Sequence, residues 1–129
     1  MGAWGAGPFD NDDAMDFVGD LSDVPAEDYV SLLQAAVTPS DGYLESPDGS
    51  IAVAAAALIA AQRGYVISSP TVAELVQTRP FTPDDDMRAS AVAALDRVAG
   101  EDSELTELWA EAGLQETVLT RYGEIRSFL

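Results

Sequence analysis

Three residue types are missing from the chain altogether: cysteine, histidine and lysine. Without cysteine there is no disulfide, no thiolate nucleophile and no sulfur-ligated zinc. Without histidine the commonest general base and metal ligand is gone, and without lysine there is no Schiff-base amine. Positive charge is scarce as well. Six arginines face 23 carboxylates, a formal net charge of −17. Such a surface repels phosphate backbones and anionic lipid, so neither nucleic acid nor a membrane surface is an expected partner. It suits cations or a basic protein. The simpler explanation is a solvated acidic surface with no dedicated partner, as salt-adapted or GC-rich genomes produce.

Long hydrophobic runs are also lacking. The longest, Ile51 to Ala61, has 11 residues, well short of a membrane span. The N-terminus has neither the basic nor the apolar part of a signal peptide, and Ala6 stands where a myristoylation signal needs Ser or Thr. A cytoplasmic protein is expected. At 129 residues with 47% apolar content, the chain fits one folded domain over 1–129 rather than a disordered segment.

The apolar residues that are present fall at helical spacing. Ala14, Phe17, Val18 and Leu21 form a stripe flanked by Asp12, Asp13, Asp16 and Asp20, with Asp10 or Asn11 placed to cap it. Pro25 separates it from a second stripe of Tyr29, Leu32, Leu33, Ala36 and Val37. After a loop beginning at Thr38, Ser46-Pro47-Asp48 reads as cap, first-turn proline and acid. The helix it opens reaches about Arg63, with Gly64 as its stop, and is uncharged from Ile51 to Ala61. A helix apolar on every face is a buried one, so this alanine-rich element is expected at the centre. In 65–80, YVI could be a short extended piece and TVAELVQ a short helix. Thr82-Pro83-Asp84-Asp85 repeats the capped-proline start, ahead of a stripe of Met87, Ala91, Ala94, Leu95 and Val98. Ser103 is placed to cap SELTELW, with Leu105, Leu108, Trp109 and Ala112 on one face. Beyond Gly113, Leu114, Val118, Tyr122 and Ile125 form the last stripe. The expected fold is all-α, with a buried alanine-rich helix and an N-terminal arm anchored by glycines and Trp4.

Familiar binding motifs fail on their spacing. GAWGAGPF lacks the Lys and Ser/Thr of a phosphate loop. Laid on a calcium loop, DNDDAMDFVGDL puts Ala14 at the fifth position, Met15 where glycine is required and Leu21 where the bidentate glutamate belongs. A looser oxygen site from Asp12 and Asp16 stays open, whereas Asp84, Asp85 and Asp86 are explained by the helix dipole alone. Serine and threonine nucleophiles have no His or Lys base, and Arg63 and Arg79 read as ion-pair partners. Only carboxylate chemistry remains, and with 23 acids a pair by itself carries no meaning.

The opening Met1, Gly2, Trp4, Gly5, Gly7, Phe9, Asn11 and Asp12 resembles the start of the bacterial domain-of-unknown-function 4259 family. The alanine-rich run 54–61 and SELTELW (103–109) are similar to two further stretches of that family. The resemblance implies that the arm is a family feature and is consistent with a small all-α fold. It attaches no established activity. The family's alanine-rich helix often carries a glutamate where this chain has Ala57; were that glutamate catalytic or a ligand in other members, its absence here would weaken an enzymatic reading. A shared site, if the family has one, is expected where the Gly2–Asp16 arm meets Ser103–Trp109.

Two functional readings follow. The first is a non-catalytic module that binds a basic protein, antitoxin- or immunity-like, with no cofactor. The alternative is a carboxylate-based enzyme or ion-binding protein, with divalent metal dependence, using Asp10, Asp12, Asp16 or Glu104. The candidate binding residues are Trp4, Asp10, Asn11, Asp12, Asp16, Ser103, Glu104 and Trp109.

Overall fold

Each apolar stripe becomes a helix because burying one face is the only way those side chains leave water together. The computed structural model describes residues 5–39 and 41–129. Its elements are α1 (Asp12–Asp23), α2 (Ala26–Ala36), α3 (Ser46–Ala61), α4 (Pro70–Thr78), α5 (Asp85–Val98), α6 (Glu104–Ala112) and α7 (Gln115–Arg126). The fold is all-α. An isolated parallel bridge joins Leu44 and Ser103, and YVI forms no strand. No described helix is long and apolar enough to cross a membrane.

Helix α3 is the axis of the molecule. It packs against α1, α2, α5, α6 and α7, and every residue from Ala52 to Ala60 is buried. Alanine favours helix and lets neighbouring helices approach closely, so one thin rod can carry five others. The stripe of α5 is buried throughout: Met87, Ala91, Ala94, Leu95 and Val98 all face the core. Elsewhere the stripes are only partly inside, with Tyr29 and Leu33 buried on α2 but Leu32 exposed, and Leu105 and Trp109 buried on α6 but Ala112 exposed. Residues of all seven helices join one apolar cluster.

Of the two residues placed to cap α1, Asn11 does so, its Oδ1 accepting the Ala14 N–H at 2.8 Å. Two other helix starts differ from the sequence expectation. Ser46 is the first helical residue of α3 rather than its cap, and Glu45 in the cap position makes no side-chain bond. Asp84, not Thr82, caps α5, accepting from the Met87 N–H at 2.8 Å. The stops are as expected. Gly64 and Gly113 have φ of 111° and 73°, and the following residues donate back to Ala60 and Trp109, which closes the preceding helix ends.

Arg63 and Arg79 do not form ion pairs among the described residues. Arg63 Nε donates to the Phe128 carbonyl at 2.6 Å, and Arg79 donates to the Ser22 carbonyl at 3.3 Å while lying 5.6 Å over the Tyr29 ring. Phe81 meets the same ring edge-on at 6.0 Å, so α2 is clasped by the segment that follows α4.

Candidate functional site

The arm folds back on one carboxylate. Asp10 accepts the Gly7 N–H at 3.0 Å. A Cβ on Gly5 or Gly7 would stand 2.7 or 2.6 Å from Asp10 Oδ2, so a side chain at either place would push the carboxylate out of its present position. Neither needs positive φ. Phe9 then turns into the core with 7% of its surface exposed. Trp4, expected to anchor the arm, lies outside the described residues.

Opposite the arm, α6 is zipped to the chain entering α3. The Leu44 N–H donates to Asp102 at 2.8 Å, and the Glu104 N–H donates to Leu44 at 2.9 Å. Glu104 Oε1 in turn accepts the Ser46 N–H at 2.7 Å, and the Tyr43 hydroxyl donates to Glu107 at 2.6 Å. The missing α3 cap is therefore supplied from another helix. A carboxylate at a helix N-terminus meets both an orphan N–H and the positive end of the dipole.

Arm and α6 meet on a small cavity of about 30 Å³. Ala6, Gly7 and Pro8 line it from one side, Leu105 and Trp109 from another, with Tyr122 closing it from α7. It has room for a water or two, far below the several hundred Å³ of a ligand pocket. Of the candidate residues, Asn11 and Trp109 share this cavity, and Glu104 reaches its rim through Ser46. Asp10 is turned back on Gly7, while Asp12 and Asp16 stand exposed on α1. Among the described residues no three acids come close enough together to hold a metal ion. Tyr122 and Ser50 also line the cavity and were not singled out from the sequence. Tyr122 sits on the α7 stripe, but a stripe does not say which neighbour it meets.

The model of a known family, the Domain of unknown function (DUF4259), matches residues 2–120. The chain belongs to that family. No curated protein and no solved structure matches it. The DUF4259 match takes in the arm, the alanine-rich α3 and the whole of α6, so both walls of the cavity lie within it.

In this DUF4259 member Ser103 occupies the N-cap position of α6, yet its side chain makes no capping bond. Its hydroxyl is buried without a hydrogen-bond partner, at 1% exposure of the residue. An ordinary N-cap serine would lose about 1 kcal/mol on truncation. Here Ser103→Ala removes an unsatisfied buried hydroxyl instead, and the urea midpoint should stay level or rise. A fall equivalent to about 1 kcal/mol would show that the hydroxyl does cap.

All four tyrosines are held protonated beyond their usual range. Burial pushes Tyr29 up to about 12 despite the nearby Arg79, and burial also raises Tyr65 and Tyr122. The exposed Tyr43 is pushed up to about 12, chiefly by its bond to Glu107. In urea half the tyrosines should be ionised near pH ~10. The folded protein should show clearly less phenolate absorbance there. Because the unfolded chain releases these protons first, stability is complete below pH ~10 and falls as pH rises through about 12. A native titration superimposed on the urea titration would contradict these environments.

Proposed function

We propose that this chain is a cytoplasmic, non-catalytic module that binds a basic protein through its acidic surface, as an antitoxin or immunity protein does. One observation carries the reading: every arginine is already engaged within the molecule. Arg97 donates to the Pro39 and Gly42 carbonyls, Arg63 to Phe128, Arg79 to Ser22 and Arg88 to Leu129 and Asp85. Arg121 pairs with Glu124 and Arg126 with Asp96. Only three of the 23 carboxylates thus have an arginine partner. Arg63, Arg121 and Arg126 stay exposed while so engaged, and the surface around them carries a large excess of acids.

The charge is most ordered on α1. Asp12, Asp16, Asp20 and Asp23 are exposed and spaced four, four and three residues apart, which puts them on one helical face with no arginine bound to any of them. Like charges at i and i+4 weaken a helix by a few tenths of a kcal/mol per pair. A cationic partner would remove that repulsion and would be steered onto the face.

The test is capture from an extract of the source organism at low salt, with wild type beside the Asp12→Asn, Asp16→Asn, Asp20→Asn variant. Wild type should enrich a basic protein whose association rate drops steeply with salt, and the variant should lose it. Equal recovery by both, or none by either, would overturn the reading. A melt separates it from ion binding. Sodium chloride should raise Tm by screening self-repulsion, and calcium, magnesium and manganese should add nothing once ionic strength is matched. Stabilisation by one divalent ion alone at micromolar levels would favour the ion-binding reading instead.

A further inference from the structure

The segment between α3 and α4 is built like a strand, with no paired neighbour among the described residues. Residues 65–69 run without turn or bend, and their exposure alternates: Tyr65, Ile67 and Ser69 are half-buried, while Val66 and Ser68 are exposed. That is the two-residue period of an extended chain lying on a core. Tyr, Val and Ile are also residues that favour pleated backbone. Yet from the Tyr65 carbonyl to the Ser69 N–H, no backbone group bonds to another part of the described chain. Val66 is 84% exposed, more than any other large apolar residue described. On the side facing the arm lies a cleft of about 370 Å³, walled by Pro8, Phe9 and Asp10 opposite Ile67, with Arg121 and Glu124 at its edge. Unlike the cavity beside α6, it is within the size range of ligand pockets.

We infer that 65–69 is a receptor edge: an extended, basic segment of the partner enters this cleft and pairs with it as an added β-strand. The inference rests on the basic-partner reading above and says how that partner is held. Free N–H and C=O groups of a straight segment template a second strand, and the alternating side chains set its register. The charge of the occupant follows from the lining. Arg121 is paired with Glu124, and the other charge in the lining, Asp10, is negative and has no arginine partner among the described residues, in a molecule of net charge −17. A strand carrying lysine or arginine at alternate positions is complementary to it, whereas a second copy of this chain would bring like charge.

The probe is a hexapeptide of alternating lysine and valine, followed by hydrogen exchange and titration on the intact chain. In the free protein the amides of residues 66–68 should exchange as fast as in an open peptide. They should become protected on adding the probe, while a glutamate–valine hexapeptide leaves them open. Val66→Pro deletes one exposed N–H and should weaken the probe about tenfold. Wild-type protection keeps the test decisive if that variant misfolds. Protection of 66–68 before any addition would mean that the edge is already covered, and would overturn the inference. So would probe binding without protection there, or concentration-dependent self-association that closes the same amides. If the captured partner is lost with the α1 asparagine variant but leaves 66–68 exchanging freely, the strand inference falls alone. If no basic ligand binds at all, both fall.

Discussion

Ala56→Leu should destabilise the protein by about 3 kcal/mol or more, the upper end of the overpacking range. Ala56 has no exposed surface, and the same holds for Ala54, Ala55 and Ala57 on either side of it. On an ordinary amphipathic helix an added branch can lean toward solvent. Here α3 is enclosed by α1, α2, α5, α6 and α7, so three extra carbons must push a neighbouring helix away. Against a total stability of about 5–15 kcal/mol, the urea midpoint should fall by a large fraction. Ala110→Leu, at an exposed position of α6, is the control and should change stability by less than about 0.5 kcal/mol. Equal midpoints for the two variants would show that the surroundings of α3 have room for the larger side chain.

Trp109→Ala should cost about 3–5 kcal/mol, the usual loss for a buried indole. The particular expectation concerns where the loss is felt. Trp109 is 9% exposed and forms the α6 wall of the small cavity whose other wall is the arm. Truncation merges that cavity with the space of the indole and takes away what Ala6, Gly7 and Pro8 lean on. Amides of residues 7 and 10, the donors and turn of the Asp10 loop, should exchange faster in the variant, and those of α5 should not beyond the global change. Trp109→Phe should recover most of the stability and the protection of the arm. If arm exchange is untouched in Trp109→Ala, the arm does not depend on the α6 wall.

The helices were legible because their signals are local. The stripe from Met87 to Val98 and the glycine stops at 64 and 113 depend only on residues within a turn or two. Cap positions were less legible. Ser46, Thr82 and Ser103 each have the right residue type, yet none caps: the chain enters α3 with Ser46 already helical, α5 begins at the following acid, and Ser103 is buried with its hydroxyl unpaired. A cap depends on the direction in which the preceding chain arrives, which packing decides. The reading of Arg63 and Arg79 as ion-pair partners failed for a related reason. Both donate to carbonyls at element ends, where an unsatisfied acceptor is nearer than any acid.

The candidate site was legible in location more than in chemistry. The sequence marked the arm and 103–109 together, and these two stretches do share a cavity. It did not reveal that Glu104 would be spent on the first turn of α3, or that Asp10 would close a turn over Gly5 and Gly7. Both acids look free in a one-dimensional list, because nothing in such a list shows which N–H groups lack a partner.

By itself, the sequence determined the all-α class, the central burial of the alanine-rich helix and the large excess of negative charge. All three follow from composition and from periodicities that repeat every three or four residues. Only the tertiary structure decided which carboxylates are occupied, where each arginine ends and that 66–68 runs without turn or bend and without a backbone partner among the described residues. Those outcomes depend on contacts between residues far apart in the chain, such as Glu104 with Ser46 and Arg97 with Pro39. Their geometry is set by helices packing around α3, and no local pattern carries it.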